Sequence, residues 1–155
     1  MRQKRDNEDL IKTMKLHPIS NSSLKTVTAD LPDLTDLHLL SQKTIDSLPE
    51  KFKKATSSLI VKVENFADQE TLRNLKIIDR YDLLGLYKGT PLPVKRTLSS
   101  FPLPDVVMLY RCPLIRYARD SQETIEHLVH QVIIHEIGHH FGFNDYDLSW
   151  IENEE

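Results

Sequence analysis

The chain has 155 residues, with 20 Lys+Arg against 23 Asp+Glu and a formal net charge of -3, the length of one domain with room for a real core. Its 39% hydrophobic and 28% charged fractions exclude wholesale disorder, and the near-neutral balance lacks the basic footprint of a nucleic-acid binder. A single cysteine, Cys112, excludes a disulfide-stapled fold; no apolar run nears the roughly 20 residues of a membrane span, and without an apolar leader the expected location is cytoplasmic.

Residues 1–33 are polar, interrupted by Pro18 and Pro32, and read as a flexible N-terminal extension. Patterning begins with the domain expected over 34–155. Leu37, Leu40, Ile45 and Leu48 recur at near-helical spacing, and Pro49 suits the start of a second short helix ending near Ala55. Leu59 to Val63 is rich in β-branched residues and predicts a strand. Asp68 is a candidate N-cap for a helix through Leu75, and Leu83 to Tyr87 predicts a strand leaving through Gly89-Thr90-Pro91. Ser99 to Pro104 reads as a loop. Val106 to Tyr110 is the clearest strand, with Asp105 as the turn residue before it, and Pro113 suits a short helix through Ala118. The expected fold is α+β: a small sheet of about three strands packed with helices.

Ser121 to His140 predicts the helix that carries chemistry, with Ser121 as cap and Gly142 just past its end. Ile125, Leu128, Val129, Val132 and Ile133 form a core-facing stripe. Continued at about 100° per residue, the stripe reaches Glu136 near its centre, His139 on its arc and His135 at its edge. Groups of this kind need a partner when buried, and a metal supplies one. His135-Glu136-Ile137-Gly138-His139 is an HExxH pattern: residues i and i+4 share a helix face, so both imidazoles can reach one ion, and the Glu is placed to accept a proton from water. A reversal at Gly142 can return Asp145 as a third ligand, leaving one open position as in catalytic zinc sites.

His135 through Asp145 resembles the HExxHxxGxxD signature of small bacterial zincin-like metallopeptidases, and Leu83 to Leu92 and Leu103 to Arg111 are similar to that family as well. The resemblance covers roughly Thr35 to Ile151. It implies a minimal zincin-like domain, one zinc per chain held by His135, His139 and Asp145, Glu136 as general base, and a peptide or protein as substrate. Met1, Met14 and Met108 all precede the motif and ten residues follow Asp145, so neither a Met-turn nor a large lower subdomain is expected. That departure from metzincins keeps a second reading open, a zinc-binding module acting in protein interaction without turnover. His₂-carboxylate sets also hold Fe(II), although the HExxH helix favours zinc.

The remaining chemistry-bearing residues have plainer expected roles. His127 and His130 face away from the ligands. His140, near the apolar arc, is expected to pack, with support of a ligand as its alternative. Cys112 is expected as a small buried hydrophobe. Tyr146, Tyr87 and Tyr110 are candidate oxyanion donors whose ordinary role is packing. Leu83 to Tyr87 is the candidate sheet edge for docking a peptide strand.

Overall fold

A computed structural model describes residues 31–95 and 104–144; residues 1–30 of the extension expected over 1–33, most of the Ser99–Pro104 loop, Asp145 and Tyr146 lie outside the described residues. The order is α1 (Leu34–Ser47), α2 (Glu50–Thr56), β1 (Ile60–Glu64), α3 (Gln69–Asn74), a 3-10 turn (Arg80–Asp82), β2 (Gly85–Lys88), α4 (Leu92–Lys95), β3 (Val106–Tyr110), α5 (Arg111–Ser121) and α6 (Ile125–His140). The fold is α+β, as the sequence patterning predicts. Asp33 opens α1 with a reciprocal capping box to Asp36, and Asp68 caps α3 by accepting the Thr71 amide.

The described strands form one sheet in the order β1-β3-β2, with β1 parallel and β2 antiparallel to β3. The central β3 is apolar on both faces, and its alternation sorts the core. Val107 and Leu109 join Tyr87 of β2 beneath α6 and α1; Met108 and Tyr110 join Leu86, Ala67 and Leu72 on the opposite face. Of the predicted stripe of α6, Leu128, Val129, Val132 and Ile133 are buried, with Glu136 and His139 beyond them, and Ile125 is half-buried. Each fully buried aliphatic side chain contributes about 1.5–3 kcal/mol, which is what holds this helix flat against the sheet.

Two boundaries differ from expectation. The helix predicted from Ser121 starts instead at Ile125, because α5 runs on to Ser121 and ends on Gln122 in the left-handed conformation (φ 60°). Thr124 then provides the cap, its hydroxyl accepting the His127 amide. Pro113 does lie in the first turn of α5, which begins two residues earlier, at Arg111.

Gly85 sets how closely α6 approaches the sheet. A Cβ there would lie 2.5 Å from Val132 Cγ1 and 3.2 Å from the Met108 carbonyl oxygen. Glycine is therefore a steric requirement at this crossing of helix and strand.

Candidate metal centre

The last two turns of α6 carry His135, Glu136, His139 and His140, all of them buried. His135 and His139 are 6% and 9% exposed, and their rings lie edge to face with centroids 4.9 Å apart. The i, i+4 spacing thus brings both imidazoles side by side at the end of the apolar stripe. His127 and His130 are exposed, away from this cluster.

The chain reversal orients one of these rings. Gly142 adopts φ +93°, its amide bonds the His139 carbonyl, and the Phe143 amide bonds the Gly138 carbonyl. This is a Schellman motif, which needs the left-handed conformation glycine supplies. The turn brings the Phe143 carbonyl 2.9 Å from His139 Nδ1. A carbonyl only accepts, so Nδ1 carries the proton, and a neutral His139 ring presents its Nε2 lone pair, the tautomer a metal ligand requires.

Glu136 is fully buried. Its Oε2 accepts the Tyr87 main-chain N–H at 2.9 Å. Because the Tyr110 amide bonds the Leu84 carbonyl, antiparallel alternation turns Leu84 and Leu86 toward β3 and leaves Gly85 and Tyr87 facing outward from the sheet. The Tyr87 amide is therefore available to a side chain.

Beside it lies a second buried group. His140 Nδ1 is 3.0 Å from Asp105 Oδ2 and 3.2 Å from the Tyr87 hydroxyl, and His140 Nε2 donates to the Ala55 carbonyl at 3.0 Å. Asp105 also accepts the Thr90 amide at 3.1 Å. Burial, reinforced by the Asp105 charge and hydrogen bond, pushes the Tyr87 phenol well above its ordinary range. Burial raises Tyr110 too, with the charges of Glu64, Asp68 and Glu136 adding to it.

Asp105 thus does more than shape a turn, and His140 is paired rather than merely packed. Burial of His140 is legible in its position on the apolar arc; the main-chain partners of Glu136 and His139 leave no mark in a sequence. Tyr87 has its hydroxyl engaged, which removes it from the candidate oxyanion donors. Cys112 is only partly buried. The expected docking edge is an outer strand of the described sheet, yet Gly85, Leu86 and Tyr87 are buried and the Tyr87 amide is taken by Glu136.

The donor chemistry fits a zinc ion: two adjacent buried imidazoles, one with its tautomer fixed. Among the described residues no set of three His, Cys, Asp or Glu converges as metal ligands; Asp145, the expected third ligand, lies outside them. Comparison with curated proteins returns no match. The family described as zincin-like metallopeptidase matches residues 56–154, which takes in the sheet, α5, α6 and the segment beyond. On that match across most of its length, the chain belongs to the zincin-like metallopeptidase family.

Proposed function

We propose that the protein is a zinc-dependent metallopeptidase in which His135, His139 and Asp145 hold one zinc and Glu136 is the general base. The observation that carries this reading is the pair of buried imidazoles at the end of α6, one held in its metal-binding tautomer by Phe143, with a buried carboxylate between them in sequence. Zinc would supply the Lewis acidity that polarises the scissile carbonyl and acidifies a water. Glu136 would take the proton of the attacking water and return it to the leaving amine, its carboxylate held ready by the Tyr87 amide. The Schellman turn keeps His139 from rotating while this happens.

A second reading, a zinc-binding module without turnover, draws support from the same carboxylate, which is fully buried and already accepts a hydrogen bond. One experiment separates the two: zinc content by elemental analysis, together with a peptide-library digest by wild type and Glu136→Gln. One zinc per chain with cleavage lost in the variant is expected. One zinc with no cleavage by either protein favours the binding module, and no zinc defeats both. His135→Ala and His139→Ala should each abolish stoichiometric zinc; tight binding by either would remove that residue from the ligand set.

A further inference from the structure

We infer that Tyr87 is a positioning residue for Glu136, clamped from its far end by Asp105 and His140. The inference rests on the peptidase reading for what the carboxylate does, though not for how it is held. Tyr87 is engaged at two points: its main-chain N–H donates to Glu136 Oε2 at 2.9 Å, and its hydroxyl lies 3.2 Å from His140 Nδ1, which is itself 3.0 Å from Asp105 Oδ2. Tyr87, Asp105, His140 and Glu136 are all 1% exposed or less.

The contacts interlock. The Ala55 carbonyl can only accept, so Nε2 of His140 donates to it, while Nδ1 of the same ring faces the Tyr87 hydroxyl and Asp105 Oδ2. Asp105 is held in turn by the Thr90 amide. The backbone of Gly89 closes over the group so tightly that a Cβ there would lie 2.2 Å from Asp105 Oδ1 and 2.8 Å from the Tyr87 hydroxyl oxygen.

Stability alone does not explain such a cluster. Buried polar and ionic groups are commonly no more stabilising than apolar residues of the same volume. What this one specifies is geometry: it ties the end of α2, strand β2, the head of β3 and the end of α6 to one another. A tyrosine ring anchored at its hydroxyl limits how β2 can slide or rotate against α6. The same residue's amide is thereby kept aimed at the carboxylate.

The test uses the full-length, zinc-loaded protein and its Tyr87→Phe, Asp105→Asn and Glu136→Gln variants. Backbone amide exchange is read by NMR, alongside zinc content and peptide hydrolysis. In Tyr87→Phe the amide of residue 87 should exchange about 10-fold faster or more, while the Val107 and Leu109 amides in β3 stay within about 2-fold. Zinc should remain at one per chain, and kcat should fall about 10-fold with KM little changed. Asp105→Asn should shift the same amide in the same direction, and it carries the test if Tyr87→Phe does not fold. Glu136→Gln should also loosen that amide, since a neutral acceptor holds it less strongly. Unchanged exchange at residue 87 in the clamp variants, or equal acceleration throughout β3, would overturn the inference, the latter marking a merely structural role. Should wild type bind zinc yet hydrolyse nothing, the peptidase reading falls and the exchange ratio still decides the clamp.

Discussion

Gly85→Ala isolates the steric requirement on which the site is built. The new methyl would sit 2.5 Å from Val132 Cγ1, 3.2 Å from the Met108 carbonyl and 3.5 Å from Glu136 Oε1. Carbon atoms pack best at about 3.5–4.0 Å, so the Val132 contact is about 1 Å too short while the Glu136 contact is ordinary. Val132 is fully buried in a helix, where a β-branched side chain has one strongly preferred χ1; it cannot swing aside without a rotamer penalty. Overpacking of this kind costs about 1–3 kcal/mol. The lower entropy of the unfolded alanine chain returns about 0.4–1 kcal/mol, for a net loss of about 1–2 kcal/mol. At about 2–4 °C per kcal/mol for a chain of this length, the melting temperature should fall by about 2–8 °C. Thermal and urea unfolding followed by circular dichroism measure it. Gly85→Ala combined with Val132→Ala should be less destabilised than the sum of the two single variants, because the second change vacates the space the first one needs. A melting temperature unchanged in Gly85→Ala, or strict additivity in the pair, would refute the packing argument.

Four further outcomes are expected. Gly142→Ala, strained at φ +93° and 3.0 Å from Pro93 Cγ, should cost about 1–2 kcal/mol and weaken zinc binding by about 10-fold or more through loss of the Phe143 support to His139; a chelator competition that finds unchanged affinity would disconnect the turn from the metal. Asp145→Ala should lower zinc affinity in the same assay, and unchanged affinity would give the third position to another group. Asp68→Ala should cost about 1 kcal/mol at neutral pH. Because the Thr71 amide, then its hydroxyl, hold the Asp68 carboxyl below its ordinary value, that contribution is present above pH about 4 and fades as pH falls further; a difference from wild type that persists to pH 2 in urea titrations would exclude the cap. Glu136→Gln, which relieves the burial of a carboxylate, should leave the metal-free protein as stable as wild type or more so, and a loss above about 2 kcal/mol would make the carboxylate structural.

Much of this arrangement is legible in the sequence, for reasons that can be named. The apolar run at Val106–Tyr110 has no competing helical period, and the α6 stripe continues in phase past Ile133 to Glu136 and His139, so its polar end had to be buried. Gly142 reads correctly as the helix terminator because few residues tolerate positive φ. The start of α6 is less legible. Ser121 and Thr124 are both good caps three residues apart, and Gln122 gives no warning that it will adopt the left-handed conformation. That choice follows from how far α5 extends before α6 must turn onto the sheet. Equally hidden are the partners of Glu136, His139 and His140, since the Tyr87 amide and the Phe143 and Ala55 carbonyls are main-chain groups placed only by the fold.

The sheet order explains why a carboxylate can sit at this depth at all. In a central strand such as β3 the amides serve the two flanking strands, and a buried glutamate beside it would find no main-chain donor. β2 is an outer strand of the described sheet, so alternate amides face away from β3, and Tyr87 offers one of them to Glu136. The glycine two residues earlier lets α6 come close enough for the carboxylate to reach it. Antiparallel pairing, Gly85 and the glutamate of the motif are therefore parts of one solution. Moving β2 by one residue would turn the Tyr87 amide toward β3 and its side chain to the other face of the sheet, taking away both the donor to Glu136 and the anchor at His140.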